Sequence, residues 1–180
     1  MYFLRSMRTL EGREACKKAT AALLNMATPP ARKLRARLLA WEAAFCLNLE
    51  SLEETRILLE ESQAILDEFS IDEGKPERAL VHLLRGISCF VLGQSEKAAD
   101  SYDQYLLLAQ DSAGQRIPSV LFHWRFLINA GAFSPRLWSQ LERTLPYERQ
   151  SGDIFETACL LQTLGVIAGY HYYYSGYQNG

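Results

Sequence analysis

The chain has 180 residues, of which 48% are hydrophobic, and its formal net charge at neutral pH is -2. This length supports a substantial buried core in a single domain. No apolar run approaches the roughly 20 residues of a membrane-spanning helix, and the N-terminus lacks the pattern of a secretory leader. The near-neutral charge argues against strong nucleic-acid binding. We therefore expect a cytoplasmic protein without a membrane anchor and without direct contact with nucleic acid.

Local chemistry predicts about nine helices and no strand. Proline and glycine mark breaks at residues 28–30, 74–76 and 114–118. Ser51 followed by Glu54 has the pattern of a capping box, at the start of a helix that reaches about Phe69. Ser134 and Pro135 predict a later helix start.

Four cysteines are spread along the chain within apolar helical patterns: Cys16, Cys46, Cys89 and Cys159. None has the CxxC or CxxH spacing of a zinc site. We expect reduced, buried thiols, no metal and no cofactor.

Residues 83–102 carry the clearest structural signal. Gly86 and Ala98 are small residues at positions where two antiparallel helices would touch, and Tyr102 would wedge between those helices. Gly93 and Ser95 would form the turn. This arrangement resembles the tetratricopeptide repeat, in which small and aromatic residues recur at these positions. The resemblance implies an all-α, right-handed superhelix of antiparallel helix hairpins.

The same pattern recurs 43 residues upstream, where Ala43, Thr55 and Leu59 take the three equivalent positions. Near the C-terminus, Gly169 and Gly176 repeat the spacing of the two glycines in a unit that lacks its second helix. Two weaker units complete the expected array. Residues 10–16 look like the start of a second helix, in a register that fits either Gly12 or Ala15, and residues 120–145 have the length of a degenerate hairpin.

Charge is distributed unevenly. Lys and Arg outnumber Asp and Glu by nine to two in residues 1–40, whereas acids outnumber bases by eleven to three in residues 41–80. We therefore expect an array that is polarised along its axis. Basic residues at 32, 33, 35 and 37 would spread around a helix, which favours a solvated surface over phosphate contacts.

Catalytic patterns are missing from the sequence. It contains no phosphate loop, dinucleotide-binding glycine pattern, zinc-protease motif or nucleophile elbow. His82, His123 and His171 are isolated. His82 falls at a repeat position usually held by a large core residue, which favours a packed imidazole over a ligand or base. We expect no intrinsic enzymatic activity.

Arrays of this kind bind partners on a concave surface that the first helix of each hairpin supplies. The expected surface residues are Arg37, Ala40, Ala44, Leu47, Leu80, Leu83, Ile87 and Phe90. Their apolar centre suits a helix or an apolar ligand, and a shift of register by one residue is the competing interpretation. Tyr170, Tyr174 and Tyr177 could add a hot spot and allow self-association through the last helix.

Residues 10–13, 31–40 and 58–66 together resemble the C-terminal tetratricopeptide region of multidomain bacterial regulators. Those regulators carry a signal-transduction ATPase of the STAND or NB-ARC type and include LuxR-type and maltose-activator-like transcription factors. This chain has neither the ATPase motifs nor a recognisable helix-turn-helix. The resemblance implies a sensor or autoinhibitory region, as a fragment of a longer array or multidomain protein.

The expected partner is a protein or peptide, including an ATPase module of the same polypeptide. Two alternatives remain open. One is a free-standing adaptor that bridges two proteins, and the other is a regulator that responds to a peptide or a metabolite.

Overall fold

The computed structural model describes residues 8–109, 135–151 and 154–177. Seven α-helices make up this part of the chain: α1 (Thr9–Ala22), α2 (Pro29–Asn48), α3 (Leu52–Leu66), α4 (Lys75–Val91), α5 (Ser95–Ala109), α6 (Pro135–Ser151) and α7 (Ile154–Tyr177). A 3-10 turn at Asp72–Gly74 precedes α4. Since the described residues contain no strand, the expected all-α class is confirmed for them. The first part of the degenerate hairpin expected at residues 120–145, up to residue 134, lies outside the described residues.

Helix boundaries repeat with the spacing found in the sequence. Helices α1, α3 and α5 begin at Thr9, Leu52 and Ser95, which are 43 residues apart. Helices α2 and α4 end at Asn48 and Val91, which are also 43 residues apart. The 43-residue period is therefore a period of the backbone as well as of the residue types.

Both hairpin turns have the same backbone conformation. Glu50 and Gly93 are left-handed, with φ of 64° and 71°. Behind Glu50, the amide of Ser51 donates to the carbonyl of Cys46 at 3.0 Å, and the equivalent bond in the second turn is 2.9 Å. These bonds satisfy carbonyls at the end of the first helix, as in the Schellman motif, and reverse the chain.

Helices α4 and α5 approach each other closely at Gly86. A Cβ atom added there would lie 3.3 Å from the carbonyl oxygen of Ala98 and 3.5 Å from the Cβ of Ser101. Ala98 and Tyr102 are 2% and 4% exposed. The missing side chain of Gly86 therefore lets the backbone of α5 lie directly against α4.

Hydroxyl groups join α2 to α3 at the equivalent place. Ser62 Oγ donates to the carbonyl of Ala36 at 2.8 Å. Thr55 Oγ1 donates to the carbonyl of Ser51 at 2.9 Å and lies 3.4 Å from that of Ala43 on α2. Both hydroxyl-bearing residues are fully buried, and Leu59 lies between them with 2% exposure. Small residues on α2 are needed because longer side chains would keep these hydroxyls away from the carbonyls.

The basic and acidic stretches of the sequence face each other across neighbouring helices. Arginines of α1 and α2 pair with glutamates in α3 or just after its end, as Arg13–Glu54, Arg35–Glu61 and Arg32–Glu68. The expected polarisation along the array is therefore reduced, because opposite charges lie side by side.

The two ends of α3 are capped differently from the sequence expectation. Ser51 makes no side-chain capping hydrogen bond. At the other end, the guanidinium of Arg78 donates to the carbonyls of Leu66 and Phe69, the latter at 3.2 Å, and pairs with Asp67 at 3.0 Å. This cationic cap on the last turn of α3 fixes α4 against that turn.

Helix α6 docks on α5 through polar contacts. Arg136 pairs with Asp100 at 2.8 Å and with Asp103 at 2.7 Å. Next to this exposed pair, Gln140 Nε2 donates to the carbonyl of Ala99 at 3.0 Å in a buried position. The hydrogen bond from Gln140 fixes the orientation of α6 relative to the backbone of α5.

Helix α7 contributes Leu160 and Leu164 to the common hydrophobic core. It runs without a break through Gly169 and Gly176, so Gly176 is not at a turn as Gly93 is. A Cβ atom at Gly169 would meet nothing within 4 Å, in contrast to Gly86. The two C-terminal glycines therefore do not repeat the packing of the earlier pair. None of the seven described helices is both long enough and apolar enough to cross a membrane.

Candidate partner-binding surface

Most residues expected to line a concave groove are in the core. Ala40, Ala44, Leu47, Leu80, Leu83, Ile87 and Phe90 are all at most 3% exposed. They are buried because these faces of α2 and α4 pack against other helices of the array. Arg37 alone among the eight is half-buried. These residues therefore form the hydrophobic core rather than an open groove.

The tyrosines expected at a second hot spot lie on the last turns of α7. Backbone atoms of Tyr170, Tyr174 and Tyr177 are helical. Their side chains lie outside the described part of the structure, as do those of residues 178–180. Self-association through them stays a prediction.

An exposed apolar stripe instead occupies another face of α2. Leu34, Leu38 and Trp41 follow each other at four and three residues, which places them on one side of the helix. Leu34 is 48% exposed. Leu38 and Trp41 are half-buried, and Trp41 also touches the core. We call these three residues the α2 stripe.

The equivalent face of α4 is covered. The residues 43 positions after Arg37, Leu38 and Trp41 are Leu80, Val81 and Leu84, respectively. They are 3%, 0% and 0% exposed. The same position of the repeat is thus core on α4 and surface on α2. This difference in burial identifies the α2 stripe as an apolar surface without a covering helix in the described residues.

Positive charge lies beside the α2 stripe. Arg32 and Arg35, on another side of α2, pair with Glu68, just after α3, and with Glu61 of α3. Arg37 has no ion pair with any residue that the structure describes. Arg37 therefore flanks the stripe as a cation without an ion pair among the described residues.

A small open cleft lies at the C-terminal end of α1. It has a volume of about 260 Å³ and is lined by Leu23, Leu24, Asn25, Met26, Ala27, Arg32, Arg35 and Ile65. The Nε atom of Arg35 is buried without a hydrogen-bond partner. The cleft thus combines apolar walls with two arginines whose charges are already matched by Glu61 and Glu68.

Burial shifts the pKa values of titratable groups in the interior towards their neutral forms. Burial raises the pKa of the Cys16 and Cys46 thiols to about 11, and burial also raises the pKa of Glu42. Burial, together with the charge of Arg85, lowers the pKa of His82. A protonated thiol is a poor nucleophile. Within the described ranges, no three His, Cys, Asp or Glu side chains are placed to hold a metal ion.

Sequence reasoning missed the α2 stripe. Its apolar spacing is visible in the sequence, but α2 carries apolar residues around most of its circumference, so the pattern could not distinguish a covered face from an open one. In comparisons with known proteins, no family model, no curated protein and no solved structure matches this chain.

Proposed function

We propose that the chain is a non-catalytic interaction scaffold, an array of tetratricopeptide-like hairpins that stacks as a right-handed superhelix and binds a protein or peptide. The supporting observation is the 43-residue repetition of helix boundaries and turns. Such arrays bury one face of each repeat against its neighbours and present an extended binding surface. The period exceeds the roughly 34 residues of a tetratricopeptide repeat. Long first helices, with 20 residues in α2, account for part of the excess.

The proposed regulatory role is that of a sensor or autoinhibitory arm for a STAND-type or NB-ARC-type ATPase. The resemblance of residues 10–13, 31–40 and 58–66 to such regulators supports it. Steady-state ATP hydrolysis by a neighbouring ATPase module, measured with increasing amounts of this chain, tests the role. Saturable inhibition is expected. Unchanged hydrolysis together with separate elution in size-exclusion chromatography would contradict it.

The scaffold function is tested by thermal unfolding of the 180-residue chain with defined probes. Pools of helical peptides, ATP, ADP and simple sugars are added separately. A peptide at 100 times its Kd should stabilise the folded state by about 2.7 kcal/mol, because it binds only that state. For a chain of this size this corresponds to a rise in Tm of roughly 5–11 °C. Failure of every peptide pool to shift Tm would contradict the scaffold function.

A regulator that responds to a metabolite is the second candidate, and the cleft beside α1 favours it. Its 260 Å³ would hold only a small molecule. A shift of Tm by nucleotides or sugars that Ile65→Glu abolishes, with no shift by peptides, would favour this candidate over the scaffold. Ile65 is 7% exposed, so the melting temperature of the variant without probe must be compared first.

A further inference from the structure

The strongest remaining feature is the difference between two equivalent helix faces. Leu38 and Trp41 of α2 are half-buried, whereas Val81 and Leu84 at the same repeat positions of α4 are fully buried. The residue types are similar at these two positions, although Glu77 takes the place of Leu34, so the difference at the two positions comes from what lies against each face.

Contacts around α4 indicate what covers its face. The carbonyls at the end of α3 contact α4 at Arg78, and α5 contacts it at Gly86. Gly86 lies on the side of the helix away from Val81 and Leu84, whereas Arg78 lies beside Val81, three residues before it. Helix α2 also packs against α4. Because α5 lies on the Gly86 side, α2 and α3 of the preceding hairpin are the helices that cover the face of α4 corresponding to the α2 stripe. Helix α1 packs on α2 as α3 packs on α4, so only the place of α2 has no counterpart beside the stripe in the described residues.

We propose that the α2 stripe docks an amphipathic helix of another polypeptide, in the place that α2 takes on α4, with a carboxylate of that helix opposite Arg37. This inference rests on the proposed scaffold function and names its surface and partner. From Leu34 to Trp41 the stripe spans about 10 Å, or two helical turns, which matches a short helix with apolar residues at three- and four-residue spacing.

The charge of the partner follows from Arg37. Because this arginine has no ion pair with a described residue, a carboxylate placed beside it gains an attractive interaction without breaking an existing pair. A basic partner would instead meet like charge. An acidic flank is therefore the charge pattern that this surface selects.

Two labelled helical peptides of 20 residues test the proposal. Both carry leucines at the spacing of the stripe, one flanked by glutamate and the other by lysine. Fluorescence anisotropy with the 180-residue chain gives their Kd values. We expect the acidic peptide to bind at least tenfold more tightly than the basic peptide at low salt, and we expect Arg37→Glu to reverse this order.

Leu34→Glu is the second variant, and Ile57→Glu on α3 is its matched control. The two parent residues are similarly exposed, at 48% and 49%, so both variants should fold. We expect Leu34→Glu to weaken binding of the acidic peptide at least tenfold and Ile57→Glu to leave it unchanged.

Several outcomes would overturn the proposal. One is an equal Kd of the acidic peptide for the Leu34→Glu and Ile57→Glu variants. Another is a preference for the acidic over the basic peptide that Arg37→Glu does not reverse. The third is self-association of the chain that Leu34→Glu abolishes, because the stripe would then bind a second copy. If other peptides still raise Tm, the scaffold function stands and only the assignment of the α2 stripe as the binding surface is wrong. If no peptide of any kind binds, both proposals fail.

Discussion

Gly86→Leu is the most direct test of how α4 and α5 pack. A Cβ atom at residue 86 would already lie 3.3 Å from the carbonyl oxygen of Ala98, which is closer than ordinary van der Waals contact. The three further carbons of leucine would extend into the backbone of α5. Overpacking of this kind costs about 1–3 kcal/mol. For a chain of this size that loss lowers Tm by roughly 2–12 °C.

Gly86→Ala separates packing from helix propensity. Replacing glycine by alanine inside a helix gains about 1 kcal/mol, while the 3.3 Å contact opposes that gain. We therefore expect a change close to zero. Gly165→Ala and Gly165→Leu on α7 are the matched controls, because a Cβ atom at Gly165 meets nothing within 4 Å. Both controls should be neutral or stabilising.

Urea denaturation followed by circular dichroism gives the free energy of unfolding of each variant. The reasoning requires a clear order, with Gly86→Leu least stable and Gly165→Ala most stable. Equal stability of Gly86→Leu and Gly165→Leu would refute the close approach of α4 and α5, and with it the register of the repeat.

Three further changes probe other contacts. Glu42→Gln should raise Tm at pH 7, because burial raises the pKa of Glu42 and ionisation of the buried carboxyl opposes folding. The gain in Tm should vanish below about pH 4.5, where the carboxyl is protonated in both states. A gain that does not depend on pH would contradict this reasoning. Gly93→Ala should lower the free energy of unfolding by about 1–2 kcal/mol and Glu50→Gly should raise it, because both residues have positive φ. If the strain is absent, urea denaturation would show both effects with the opposite sign, because glycine then only adds entropy to the unfolded chain. Arg78→Leu should lower the free energy of unfolding by about 1.5–3 kcal/mol, because it removes the charged donor at the end of α3. An unchanged urea midpoint would rule out that cap.

The all-α class could be predicted from the sequence because its signals are local. A helix pair that touches at its backbone needs small residues at the contact, and these residues stand out against an apolar pattern, as Gly86 and Ala98 do. Turn glycines are equally local. The expected capping box at Ser51 was wrong, because its amide donates to the carbonyl of Cys46 and the carboxylate of Glu54 pairs with Arg13 of another helix.

The candidate surface could not be predicted, because exposure depends on neighbours rather than on residue type. Ile87 and Phe90 have the spacing of a groove and are 1% exposed, while Leu34 has the same apolar character and is 48% exposed. Only the arrangement of helices distinguishes them. The sequence of a repeat therefore indicates which faces of each helix are apolar, but it does not show which of these faces other helices cover.

Charge pairing limits where a partner can bind. Arg13, Arg32 and Arg35 each lie beside a glutamate in α3 or just after its end, so these three cations contribute little net field at the surface. Exposed pairs of this kind add little stability, but they remove charges from recognition. Arg37 lies beside the apolar α2 stripe, so the surface combines a hydrophobic contact area with the positive charge of this arginine. Raising the salt concentration should therefore weaken a partner's preference for an acidic flank more than its apolar contact with the stripe.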